Sequence, residues 1–166
     1  AAGRMPAALS AFTNSLAADP AGLWRLSLAG GDPAAGRKLF AERADWGCQR
    51  CHRLHGEGGD VGPDLTGLAK TRGAEYVLEA ILHPNKDIAP GYENVVITRK
   101  SGGALAGVLK SETATELVLD VPEDGRMTIP KADIADRQRG LSSMVEGLGE
   151  LITPREMRDL IAALAE

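Results

Sequence analysis

The chain is poor in aromatic side chains: two Trp, two Tyr and two Phe serve 166 residues. Aromatic rings supply much of the bulk that fills a core, so a core built from this chain must find bulk elsewhere. Cysteine is almost as scarce, with two residues, which excludes a disulfide-rich scaffold. No excess of positive charge exists either. Nineteen Lys and Arg stand against 23 Asp and Glu, a formal net charge of −4 at pH 7, and neither a nucleic-acid-binding surface nor a disordered acidic tail is indicated. No run of eighteen apolar residues occurs in the sequence, which leaves out a membrane-spanning helix within it. Ala1 to Leu16 is rich in Ala but interrupted by Ser10, Thr13, Asn14 and Ser15, so it is not read as a signal peptide, and a start without Met suggests a processed protein or an excised domain. A chain of this length buries one moderate core, or one core plus a small appended module.

The two cysteines present stand together, in Cys48-Gln49-Arg50-Cys51-His52. Two thiols three residues apart with an imidazole directly after them form the attachment pattern of a c-type haem. The sulfurs would add across the two porphyrin vinyl groups, and His52 would become the proximal axial ligand of the iron. A buried porphyrin would also supply the missing aromatic bulk. Three rivals use the same residues. A dithiol redox site normally sits where a strand enters a helix of a βαβ unit, whereas Gly36 to Arg43 reads as helix. A zinc site would need His52, His55 or His83 to complete four ligands, and no second Cys pair supports it. A disulfide across two intervening residues closes a strained loop that contributes little stability.

Around this motif the pattern is helical. Pro6 opens a short segment with Leu9, Phe12 and Leu16 on one face, and Asp19-Pro20 precedes Leu23, Trp24 and Leu26; residues 1–30 thus read as a helical extension that either packs on the haem-binding part of the chain or ends a preceding domain. Asp32-Pro33 starts a helix that runs to about Arg43. Thr153-Pro154-Arg155-Glu156 is a capping box ahead of Met157, Leu160, Ile161 and Leu164 at helical spacing. Gly36 admits a close helix crossing beside Phe40, or merely weakens an exposed helix. A third helix reads from about Arg72 to His83, stopped by Pro84, and residues 56–67, rich in Gly, read as a loop. From 94 to 138 the character changes: Asn94 to Thr98 and Glu116 to Asp120 are β-rich, Leu105 to Leu109 and Met127 to Ile129 are weaker candidates, and Ser101-Gly102-Gly103 and Glu123-Asp124-Gly125 are turn signals. Four or five antiparallel strands are expected, either curled into a small barrel or laid out as a sheet.

With these pieces in place, Gly36-Arg37-Lys38-Leu39-Phe40 before the haem motif, Gly62-Pro63-Asp64-Leu65 after it, Ile88-Ala89-Pro90-Gly91-Tyr92-Glu93-Asn94, and Ser142-Ser143-Met144 make residues 31–166 resemble a class I c-type cytochrome. The closer resemblance is to the haem-binding domain of large secreted planctomycete and verrucomicrobial proteins. The resemblance implies a mainly α cytochrome c fold, about three core helices around one haem, with 94–138 as a small antiparallel β insertion between the third helix and the distal-ligand loop. It implies that the Pro63 carbonyl orients His52 through the other ring nitrogen, although a simple turn proline reads the same, and it places Leu65 beside the cofactor. Trp46 and Tyr92 either pack on the porphyrin, hydrogen-bond a propionate, or belong to the protein core.

Small cytochromes of this class carry their sixth ligand in a Pro-Gly-Thr-Lys-Met-like segment, whereas this chain has no sulfur in Pro90-Gly91-Tyr92-Glu93-Asn94. The β-rich insertion of about 45 residues displaces the corresponding loop along the chain, and the distal ligand is assigned to Met144. Met157 belongs to an apolar helical stripe, Met127 to a strand candidate, Met5 to a chain end; His83 reads as a surface residue and His55 as too close to the proximal side. The expected protein is a mono-haem His/Met one-electron carrier and not an enzyme, and the resemblance implies a periplasmic or otherwise exported location. Its expected partner is a redox protein or a fused dehydrogenase domain, without nucleic acid and with dimerisation through the β insertion as an option. Arg37, Lys38, Arg43, Arg50 and Arg53 outnumber Glu42 and Asp45 and form a candidate basic rim for an acidic partner. The competing readings are a peroxidase or a gas or redox sensor with an exchangeable sixth ligand, and an interaction module that docks haem onto a dehydrogenase.

Overall fold

A computed structural model of the chain describes residues 20–121 and 124–166, which fall into two compact units. The segment read as helix from Pro6 to Leu16 lies outside the described residues.

The first unit comprises the described residues up to 60, then 64–82 and 147–166. Its elements are α1 (Pro20–Arg25), α2 (Pro33–Glu42), α3 (Cys48–Cys51), the short strands β1 (Arg53–Leu54) and β2 (Glu57–Gly58), α4 (Leu68–Arg72), α5 (Ala74–Leu82), α6 (Leu148–Leu151) and α7 (Pro154–Ala163). The starts of α2 and α7 follow their sequences closely. Asp32 accepts from the N–H groups of Ala34 and Ala35 at 2.9 and 3.2 Å with Pro33 in the first turn, which satisfies donors a helix start otherwise leaves unpaired. At α7 the Thr153 hydroxyl accepts from the Glu156 N–H and the Glu156 carboxylate accepts from the Thr153 N–H, the reciprocal arrangement of a capping box.

The buried face of α7, with Met157, Leu160, Ile161 and Ala163, meets the buried Gly36 and Phe40 of α2. A methyl group at Gly36 would lie 2.6 Å from the Asp159 carbonyl carbon and 2.8 Å from the Ala163 methyl, so only a residue without Cβ allows the two backbones this approach. Polar contacts bracket the crossing. The Asp159 side chain, only 7% exposed, accepts the Asp32 N–H at 2.9 Å. At the other end of α2, Arg43 donates to Glu156 at 2.7 Å.

Replacing Gly36 by Ala is therefore expected to lower unfolding free energy by about 1–3 kcal/mol through overpacking, although Ala is the better helix former. A denaturant midpoint of the haem-loaded protein that rises on substitution would refute the crossing. The Thr153 N–H, the Thr153 hydroxyl and Arg43 hold the Glu156 carboxyl below its ordinary value of 4.5. A carboxyl depressed in the folded state contributes stability that is present above the unfolded value and lost as pH falls through the folded one. Thermal unfolding temperature should thus drop as pH falls below about 4.5, and Glu156→Gln should make that drop smaller.

The second unit comprises 61–63 and 83–146. Five antiparallel strands, β3 (Asn94–Arg99), β4 (Ala104–Glu112), β5 (Glu116–Val121), β6 (Gly125–Pro130) and β7 (Ile134–Arg139), lie in the order β6-β5-β4-β3-β7, with a 3₁₀ turn at Lys131–Asp133 leading into β7. Strand β4 is shared end to end: residues 104–108 pair with β3, residues 108–112 pair with β5, and the register slips between Leu109 and Ser111. Such a slip bends a strand and increases its twist. Val95 and Ile97 of β3 pack against Leu117, Leu119 and Val121 of β5 and Ile129 of β6, with Leu105, Leu109, Met127 and Ile134 around them.

The expectation of a mainly α fold with a small β insertion is overturned. Among the described residues helix makes up roughly a third and strand roughly a quarter, and the five-stranded sheet organises a unit of its own. The period-2 apolar signal is carried by Val95, Ile97, Leu117 and Leu119, all buried. By contrast β7 and the far half of β4 are polar and mostly exposed; backbone ladders hold them, and ladders leave little trace in a sequence. The hairpin of β1 and β2 also lies where the sequence predicts a loop, its turn made by His55 and Gly56 at φ 54° and 84°, a pairing that suits a two-residue hairpin.

Candidate functional site

Helix α3 is one turn, and it contains both cysteines. Gly47 enters it with φ 66° and accepts from the Arg50 N–H at 3.1 Å; the Cys48 carbonyl accepts from the His52 N–H at 2.9 Å, after which His52 turns extended. Residues three apart on a helix share a face, so the turn presents both sulfurs together with the imidazole at its exit. The thiols are not bonded to each other. Burial pushes the Cys48 thiol up to about 11, the opposite of the lowered value that makes a dithiol redox cysteine reactive. Among the described residues no group of three or more His, Cys, Asp or Glu is gathered to hold a metal ion, so the donor set of the zinc alternative is not assembled.

The chain after the motif folds back over this turn. Gly59 donates to the Gln49 carbonyl at 2.9 Å, and a methyl at Gly59 would meet the Arg50 carbonyl carbon at 2.8 Å; one at Gly58, where φ is 121°, would meet the His52 carbonyl carbon at 3.1 Å. Two glycines therefore let backbone lie directly on the backbone of α3. Leu65 donates to the Arg53 carbonyl at 2.9 Å, and Thr66 accepts from the His55 N–H at 2.8 Å, which pins the following loop to the hairpin. In the sequence these positions read only as loop; the Gly56 to Gly59 run is the available signal.

The sequence matches the cytochrome c family over residues 33–164. The chain belongs to the cytochrome c family. No curated protein matches it. The donor set fits haem c: two unpaired thiols on one helical turn, an imidazole at its end, and a glycine cradle that fixes both. This cytochrome is a haem-binding electron-transfer protein. Among its described residues no helix is long and apolar enough to cross a membrane.

The remaining candidate residues of the cytochrome are distributed over both units. Leu65 is half-buried in the first. Pro63, Tyr92 and Met144 belong to the second. Tyr92 donates its N–H to the Ala89 carbonyl at 3.0 Å and carries the Lys110 ammonium 5.1 Å from its ring centroid. Trp46 is 4% exposed, with the Arg43 guanidinium 4.1 Å from a ring centroid and its indole N–H without an acceptor. Met157 is fully buried on the inner face of α7 and Met127 packs on the sheet core, so both have packing roles; half-buried Met144 belongs to neither cluster. Met5 lies outside the described residues. His83 and His55 are exposed. In the candidate basic rim, Arg37 pairs with Glu166, Lys38 with Glu42, Arg43 with Asp45 and Glu156, and Arg53 with Asp60, so much of its charge is balanced locally.

The cradle generates a direct expectation. Gly59→Ala should reduce the amount of covalently attached haem per polypeptide, read by haem stain against total protein, because the methyl displaces the backbone that covers α3. Unchanged haem content in that variant would exclude a role for the close approach.

Proposed function

We propose that this protein is a mono-haem c-type cytochrome that exchanges single electrons with a redox partner protein or a fused dehydrogenase domain, and that it transforms no substrate itself. The observation that carries the reading is the single helical turn with both unpaired thiols followed by His52, within a chain of the cytochrome c family. Cys48 and Cys51 hold the cofactor covalently, the His52 imidazole is the proximal ligand, and the Pro63 carbonyl fixes its tautomer. Met144 supplies the distal thioether, supported by the packing roles that occupy Met127 and Met157. Leu65 and Tyr92 contact the porphyrin. Bound haem supplies a one-electron iron couple, and thioether ligation raises its potential relative to two imidazoles. The motifs between Gly36 and Met144 support the finer placement among haem-binding domains of large secreted planctomycete and verrucomicrobial proteins, and with it a periplasmic or exported location.

The deciding experiment is the absorption spectrum of the ferric protein before and after Met144→Ala. The sulfur-to-iron charge-transfer band should be present in the native protein and lost in the variant, while the covalent haem content is retained. The native ferrous protein should bind carbon monoxide poorly and the variant readily. A native protein without the band, or one that binds carbon monoxide avidly, would favour a sensor or peroxidase with an open iron.

A further inference from the structure

The loop from Gly140 to Glu146 has no regular secondary structure, and burial does not hold it down: Leu141 and Val145 are 71% and 63% exposed. What holds it is amide chemistry from two asparagines of the same unit. The Asn94 side-chain NH₂ donates to the Leu141 carbonyl at 2.7 Å and to the Ser143 hydroxyl at 3.0 Å, and the Asn94 backbone carbonyl accepts the Gly140 N–H at 2.8 Å. The Asn85 side-chain oxygen accepts the Ser142 N–H at 2.6 Å, its NH₂ donates to the Glu146 carboxylate, and its backbone carbonyl accepts from Arg139 at 3.1 Å. The Ser142 hydroxyl in turn accepts the Met144 N–H at 3.1 Å. Gly140 completes the fit, since a methyl there would come within 2.8 Å of the Asn94 Cβ.

We propose that Asn85 and Asn94 are positioning residues that lock the 140–146 loop onto the β unit and so set where the Met144 thioether is presented. The inference rests on the reading of Met144 as the distal ligand, but the clamp itself is a property of the loop. Both positions need an amide. Asn94 gives two hydrogen bonds from one NH₂, which a carboxylate cannot do, and Asn85 must accept on one side and donate on the other. Where a loop buries little apolar surface, such bonds decide between one conformation and many. The β unit is on this view the scaffold of the distal ligand.

The test uses the haem-loaded full chain and the variants Asn94→Asp, Asn85→Ala and Met144→Ala. Added imidazole competes for the iron, and displacement of the sulfur-to-iron band reports how firmly the loop keeps its thioether. Asn94→Asp and Asn85→Ala should raise the apparent imidazole affinity by about tenfold, the expectation for losing one or two net hydrogen bonds. Hydrogen exchange should quicken over 140–146 in both and stay unchanged over 116–121 and 125–130. If the band is present natively, vanishes in Met144→Ala, and both Asn variants match the native protein in imidazole affinity and loop exchange, the clamp is wrong while the ligand assignment stands. If the native band is missing, the ligand assignment falls and loop exchange alone judges the clamp. If neither Asn variant folds, the native Ser142 and Met144 amides decide: exchange as slow as the sheet amides supports the clamp, and exchange at the rate of an open peptide overturns it.

Discussion

The contact on which the haem-binding unit depends is the crossing of α2 and α7 at Gly36. Backbone meets backbone there without an intervening side chain, and the polar groups at its margins belong to the crossing: Asp159 reaches the Asp32 N–H, and Arg43 reaches Glu156. From Arg43 the chain has little freedom before the cofactor site. The Trp46 and Gly47 N–H groups both return to the Arg43 carbonyl, at 3.1 and 3.0 Å, and Gly47 starts α3. Fixing α2 against α7 therefore fixes the origin of the helical turn that carries the two thiols. The nearly buried carboxylate of Asp159 is stable in this place because it accepts a hydrogen bond.

The two units are held by different physics. In the first, apolar side chains of α7 and α5 and a close backbone approach do most of the work, with Phe40, Val77, Ile81, Met157 and Leu160 buried. In the second, a smaller apolar cluster between β3, β5 and β6 is surrounded by ladders and partly exposed ion pairs such as Glu112 with Lys131 and Arg137. Exposed pairs of this kind contribute little individually. They tie the end of β4 to the 3₁₀ turn and to the edge strand β7. The polar character of that unit extends into the asparagine contacts of the 140–146 loop.

Much of the first unit was legible because its signals are local. Asp32-Pro33 and Thr153-Pro154-Arg155-Glu156 specify helix starts within four residues, and Cys48 to His52 narrow the chemistry to a few options among which the surrounding sequence favours haem. The crossing at Gly36 was legible only as one of two options, since the sequence shows a glycine and not the Asp159 carbonyl it meets. The strands β3 to β6 were visible through their apolar residues, but the weight of the sheet in the fold was not, because β7 contributes almost no buried side chain and pairs with β3 across the whole length of the meander. The roles of Gly58, Gly59, Asn85 and Asn94 were hidden for a related reason: the glycines meet only backbone, and the asparagines bind backbone groups of Leu141 and Ser142 together with the Ser143 and Glu146 side chains about fifty or sixty positions away. Proximity in space, not residue type, gives them their roles.

Asp32 and Asp159 are 127 positions apart in the chain, a separation that would make the helix crossing slow to form if the intervening residues were a flexible loop. They are not. Strands β3 to β6 are consecutive hairpin neighbours that can zip up locally, and the Asn85 contact to Glu146 joins the two ends of the segment once it has done so. A long excursion is thereby converted into a compact unit whose entry and exit are neighbours, and the search that brings the thiol-bearing half of the chain to its C-terminal helix covers a far shorter effective contour.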